Sequence, residues 1–145
     1  MEISFLKPGS KIVIAAPARC VLREEMAFAI EWLKEQGFVP VYDDALFAQH
    51  HIFAGSDDFR AAVFQHYLDS EEIDAIWCAR GGYGSIRIID KLDFSKFLEH
   101  PKWLVGFSDI TVFHGKLNRL GVPTLHASMP FYFANKTPEA KQSLV

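Results

Sequence analysis

The sequence predicts an open, doubly wound α/β fold, a mostly parallel sheet with helices on both faces. Three observations carry that expectation. Short apolar runs alternate with longer stretches in which apolar residues recur at helical spacing. Each run is nearly continuous in apolar residues, the pattern of strands buried on both faces. Two motifs, RGGYGS and GFSD, directly follow such runs, where an open α/β sheet receives its ligands.

Lys11–Ala16 (KIVIAA) reads as the first strand, ended by Pro17. From Arg23 to Gln36 the apolar residues Met26, Ala29, Ile30 and Leu33 fall at helical spacing, and Gly37 stands where a helix end needs a left-handed residue. Phe38–Tyr42 (FVPVY) reads as an edge strand, because Pro40 has no N–H to give a ladder. A polar loop with His50, His51 and Gly55 leads to Ser56 or Asp57, either able to cap a helix running to about Leu68. Ile73–Cys78 is a buried strand, followed by ARGGYGS, a short helix near Ile86–Lys91 and a helical turn around Phe94–Leu98. Lys102–Phe107 (KWLVGF) is the fourth strand, with Ser108 directly at its end. Ile110–Leu120 is helical and stopped by Gly121 and Pro123; Thr124–Ala127 is a fifth strand, and the remainder reads as an exit segment. The whole chain, 1–145, is expected to be one domain of flavodoxin-like type.

Composition narrows the function classes. The chain has 145 residues, 50% hydrophobic and 23% charged, which suits a folded domain and excludes long disorder. Its formal net charge is −3 and no basic stripe is present, so neither nucleic acid nor an anionic membrane surface is an expected partner. The opening MEISFLKPGSK shows no secretion signal, and no apolar stretch is long enough to span a bilayer. Cys20 and Cys78 then read as reduced thiols of a cytoplasmic protein, with Cys78 favoured as strand packing over a nucleophile.

Two motifs bear chemistry. Gly106-Phe107-Ser108-Asp109-Ile110-Thr111 sets a serine between a strand and a helix N-terminus, whose unpaired N–H groups suit an oxyanion. The G-x-S-x-G elbow pattern is half met, since Ile110 takes the place of the second glycine; the competing reading is a plain helix cap at Ser108 or Asp109. Arg80-Gly81-Gly82-Tyr83-Gly84-Ser85 lets backbone amides approach an anion, or is merely a tight strand-to-helix turn. It is neither a dinucleotide fingerprint, because Arg87 occupies the third glycine position, nor a P-loop. The six histidines form no metal set: His50 and His51 face apart in extended chain, and His114 is directed away from Ser108. His126 could line the same cleft, though a structural histidine is the favoured reading.

The order of LKPGSKIVIAAPA, AGSDDFRAA, IDAIWCARGGYGSIRIID, PKWLVGFSDIT and TLHASMP resembles the serine LD-carboxypeptidases, the muramoyltetrapeptide carboxypeptidase and microcin immunity peptidase family. The resemblance implies Ser108 as nucleophile and the amide of Asp109 as one oxyanion-hole donor. The other donor is an amide of the glycine loop, Gly82 with Gly81 as the alternative. Arg80, Gly81 and Tyr83 are the substrate-binding residues it implies. It further implies a cytoplasmic enzyme of murein recycling that removes terminal D-alanine from a muropeptide or related peptide. No metal or cofactor is implied, and a homodimer is. The Glu and His of the triad belong to a C-terminal half that this chain, stopping at Val145, is expected to lack, so that it does not turn over alone. His126-Ala-Ser-Met departs from the HGPM of many relatives. A phosphate- or nucleotide-binding module is the alternative.

Overall fold

The computed structural model describes residues 1–145. Five parallel strands form one sheet: β1 (Lys11–Ala15), β2 (Val39–Val41), β3 (Ala75–Cys78), β4 (Trp103–Gly106) and β5 (Leu125–His126), in the spatial order β2-β1-β3-β4-β5. After β2 the chain crosses back over β1 to lay down β3, so the order switches between β1 and β3. The loops leaving the two central strands part there and open a crevice at their carboxyl ends.

The continuous apolar runs bury both faces. Val13, Ala15, Ile76, Cys78 and Leu104 face one core; Ile12, Ile14, Ala75, Trp77 and Val105 face the other. The first face is covered by α2 (Asp57–Asp69), α3 (Ser95–Glu99) and α4 (Thr111–Arg119), through Phe64, Phe97, Phe113 and Leu117. Phe64 stacks on Phe113 with centroids 4.7 Å apart, which anchors the helix that follows Ser108. Each such fully buried side chain stabilises the fold by about 1.5–3 kcal/mol. The second face is covered by α1 (Arg23–Glu35), through Met26, Ala29, Ile30 and Leu33. Gly37 follows α1 at φ +84°, the left-handed stop that its position requires. No helix is long and apolar enough to cross a membrane.

Four local expectations are corrected. The segment expected as a helix near Ile86–Lys91 is a pair of 3-10 turns, Ser85–Arg87 and Ile89–Lys91, broken at Ile88. β5 is only Leu125–His126, because Thr124 is drawn off to His114 and Asn118 and nothing pairs beyond this edge. The exit segment is structural: Phe133 is fully buried, edge-on to Trp32 and Trp77, and α5 (Pro138–Gln142) follows. His50 and His51 do not face apart; His51 sits at φ +53°, and that left-handed turn brings their rings to 4.5 Å.

Candidate active site

Two adjacent loops build the site, one after β3 and one after β4. Gly82, Tyr83 and Gly84 have φ of +85°, +80° and +141° in succession. Glycine adopts such angles freely, whereas Tyr83 is held in a strained conformation at a cost of order 1–3 kcal/mol. The loop is fastened by its carbonyls. Gly81 O accepts from Arg19 N at 3.4 Å, and Gly84 O accepts from Arg87 N and Arg60 Nη1, both at 3.1 Å. The N–H groups of Gly81, Gly82, Tyr83 and Gly84 donate to no protein acceptor.

Arg60 does much of the fastening. It is 1% exposed although it lies on α2. Its Nε donates to Gly55 O at 3.1 Å and its Nη1 to Pro17 O at 2.6 Å as well as to Gly84 O, while Nη2 pairs with Asp57. Burial pushes the Arg60 pKa down, and the Asp57 carboxylate opposes that push. One planar fork therefore joins the loops after β1 and β3 to the start of α2. Sequence reasoning passed over this residue, though a signal existed: Arg60 stands in the same helical stripe as Phe64, Tyr67 and Leu68.

At the end of β4 an extended Phe107 gives way to Ser108 at φ +60°, the first residue of a 3-10 turn (Ser108–Ile110) that runs into α4. A left-handed, non-glycine residue at a strand-to-helix turn is the geometry of a nucleophile elbow. The place of the missing second glycine is explained by Gly106. A Cβ there would lie 2.9 Å from Ile110 Cγ2, so the turn closes only because Gly106 leaves the buried Ile110 room. Thr111 Oγ1 donates to Ser108 O at 2.5 Å, and the exposed Ser108 Oγ is bonded to no other side chain.

The two loops touch. A Cβ on Gly81 would lie 3.1 Å from Asp109 Cβ, 3.2 Å from Asp109 N and 3.6 Å from Ser108 Cβ. The Asp109 carboxylate accepts from Ser85 N at 3.0 Å, tying the elbow to the far end of the glycine loop. Ser108, Asp109 and Gly81 thus stand together at the carboxyl ends of β3 and β4, while Gly82, next in the chain, lies against the Arg19 side chain. Tyr83 is exposed and leans toward Phe53, and the Arg80 guanidinium lies 3.7 Å over the Phe131 ring.

The histidines near the elbow are already engaged or set against other rings. His114 is buried, with Nε2 2.9 Å from Gly106 O and Nδ1 2.7 Å from Thr124 Oγ1. Since a carbonyl can only accept, Nε2 donates to it, and in the neutral ring Nδ1 then accepts from the threonine hydroxyl. The His126 ring lies 6.1 Å from that of Phe107 and 5.8 Å from that of His114. Cys78 is fully buried, and burial pushes its thiol far up, which suits packing and not attack. No cluster of three His, Cys, Asp or Glu side chains could hold a metal. A cavity of about 300 Å³ lies elsewhere, against the second face of the sheet. Its lining residues, Trp77, Trp103, Val105 and Leu125 among them, are all hydrophobic, and none carries a charge or a nucleophile.

Residues 12–127 match the family model described as the LD-carboxypeptidase N-terminal domain. A putative carboxypeptidase of Streptomyces coelicolor is 38% identical over 129 residues, covering 86% of this chain and 42% of that protein. A probable murein peptide carboxypeptidase of Bacillus subtilis is 35% identical over 125 residues, covering 86% and 39%. Among solved structures, the muramoyltetrapeptide carboxypeptidase from Oxalobacter formigenes superposes with a TM-score of 0.81 at 26% identity, covering 93% of this chain and 46% of that one. The chain therefore spans about two fifths of the length of the curated relatives it matches.

Proposed function

This chain belongs to the LD-carboxypeptidase family, and from that premise we propose that it carries the nucleophile and oxyanion-binding amides of a serine peptidase releasing terminal D-alanine from a murein tetrapeptide. The observation that carries the reading is the left-handed Ser108 set against a glycine loop whose amides are uncommitted. In the proposed reaction Ser108 Oγ attacks the carbonyl carbon of the L,D amide and its proton passes to a general base. The C–N bond then breaks, the amine leaves with that proton, and water hydrolyses the acyl-enzyme. Negative charge on the carbonyl oxygen is met by the N–H groups of Asp109 and Gly82, with Gly81 as the alternative second donor. Arg80, Gly81 and Tyr83 hold the peptide.

The base, and the carboxylate that orients it, are assigned to polypeptide outside residues 1–145. His114 supports this, because both of its ring nitrogens are already engaged. The 145-residue chain alone is accordingly expected to fold and to release no D-alanine. The family resemblance supports the remaining parts of the proposal: a cytoplasmic role in peptidoglycan recycling, a muropeptide substrate and a homodimer. The free amides of the glycine loop would also suit a phosphate, but the strain at Ser108 serves no such ligand.

The test is Ser108→Ala in the full-length enzyme. Turnover is expected to fall by about 10³-fold or more with the fold intact, since the exposed side chain contributes little packing. A variant that keeps a near-normal rate would rule Ser108 out.

A further inference from the structure

We propose that Arg19 and Arg80 form a carboxylate-binding subsite beside the glycine loop, taking a carboxylate of the peptide substrate; this rests on the peptidase reading above. The two residues rise from the loops after β1 and β3, neighbouring strands on either side of the switch in strand order. Those loops are bonded to one another at both arginines. Arg19 N donates to Gly81 O at 3.4 Å, and Arg80 Nη1 reaches Cys20 O at 3.5 Å.

Each side chain is set in place by packing. The stem of Arg19 lies along Gly82, where a Cβ would meet Arg19 Cδ at 2.5 Å. Only glycine leaves that arginine its position, a second requirement at Gly82 beside its positive φ. Arg80 lies on the Phe131 ring, within the range of a cation–π contact, and Phe131 is itself fixed by its N–H donating to Ala79 O at 3.0 Å.

Neither cation is neutralised by the protein. Arg60 and Arg87, the other two arginines near this loop, share Asp57. No acid pairs with Arg19 or Arg80. The carboxylates of the adjoining turns are committed to backbone donors, Glu25 to Leu22 N and Asp109 to Ser85 N. The Nε of both Arg19 and Arg80 is shut off from solvent without an acceptor. Those two Nε atoms are closed to a ligand as they are to water, so an anion meets the Nη end of each guanidinium; a carboxylate matches that planar end through two parallel bonds and offsets the cost of holding an unpaired cation partly buried. A peptide cut at its carboxyl end carries such a group at its terminus, and acidic side chains along the peptide offer the same chemistry.

The experiment uses the full-length enzyme and three probes: a tetrapeptide ending in D-alanine, its C-terminal amide, and an analogue whose side-chain carboxylate is an amide. Arg19→Gln and Arg80→Gln are each expected to raise KM for the first probe about 10- to 100-fold, the worth of one charge-assisted hydrogen bond, with a smaller change in kcat. Binding to the Ser108→Ala protein, measured by calorimetry, reads the same preference without turnover. The variants should lose the parent's preference for an acid over its amide. Loss confined to the terminal pair assigns the terminal carboxylate; loss confined to the side-chain pair assigns an internal one. Arg80→Lys, which keeps the charge and the stem over Phe131, should recover part of the preference. Undiminished preference for both acids, in variants whose circular dichroism is unchanged, overturns the subsite. Persistent turnover by Ser108→Ala would instead overturn the peptidase reading, so the two failures are separable.

Discussion

Replacing Arg60 by methionine tests whether one buried fork holds the loops of the crevice in register. Methionine keeps most of the stem's packing but removes every donor. Gly84 O retains Arg87 N, and Asp57 retains Arg87, whose Nη2 lies 2.8 Å from Oδ2. The groups left without a donor are Pro17 O and Gly55 O, which now accept at 2.6 and 3.1 Å. An orphaned buried acceptor costs about 1–3 kcal/mol, so the two together cost roughly 2–6 kcal/mol. Little is added for Asp57, because its partly exposed carboxylate stays paired and screened. We expect a loss of about 3 kcal/mol by urea unfolding, a fall of roughly 10 °C in Tm for a chain of this size. Arg60→Lys should lie between the two, because an ammonium reaches fewer of these carbonyls at once. A loss below about 1 kcal/mol for the methionine variant would refute the idea that Arg60 fastens these loops.

Two further outcomes are expected. Ser108→Gly should be more stable than Ser108→Ala by about 1 kcal/mol, since glycine accepts φ +60° without the strain that any Cβ brings; equal unfolding midpoints would contradict strain at the elbow. The hydrogen bond from Arg87, aided by the charges of Arg87, Arg60 and Lys91 and opposed by partial desolvation, holds the Asp57 carboxyl below the ordinary aspartate range. Its contribution is therefore fully present above the unfolded-state pKa of about 3.9 and is lost as pH falls through the lower folded-state value. Asp57→Asn should be less stable than the parent at pH 7, with the gap closing toward pH 2; a gap independent of pH would sink that account.

What was legible in the sequence follows the range of the interactions involved. β1, β3 and β4 were readable because burial on both faces demands unbroken apolar runs, and KIVIAA, IDAIWC and KWLVGF each meet that demand. The edge position of β2 followed from one missing N–H at Pro40. The stop at Gly37 followed from one backbone angle. The ends of β5, the 3-10 turns after Gly84 and the burial of Phe133 were not readable, because each is decided by partners distant in sequence: Thr124 by His114, Ser85 by Asp109, Phe133 by Trp32 and Trp77. Arg60 was hidden for the same reason. Three of its acceptors are backbone carbonyls, and a carbonyl leaves no residue-type signature in a sequence.

The elbow shows why a short pattern can understate its own site. On the G-x-S-x-G template Ile110 is a mismatch, and the mismatch makes a plain helix cap the easier local reading. The template asks for small residues on both sides of the serine because a left-handed turn folds the strand end and the helix start onto each other. In this chain Gly106 supplies the whole of that clearance, and the Ile110 side chain fills it, with 2.9 Å between its Cγ2 and the position of the absent Cβ. Ile110 is then fully buried in the first core, beside Phe113, which stacks on Phe64. The residue that breaks the pattern thus joins the serine's turn to the packing of α2 and α4. A bulky Ile110 and a permissive Gly106 are one device, and neither is interpretable without the other. Gly106→Ala should therefore disturb the elbow as much as a change at Ser108 itself, and Ile110→Ala alongside it should relieve the two shortest contacts, leaving the Cβ of residue 110 at 3.1 Å, at the cost of a core cavity. Unfolding midpoints of the two single variants and the double variant separate these terms. Strict additivity of the two losses would show that the glycine and the isoleucine act independently, and would return Ile110 to an ordinary core residue.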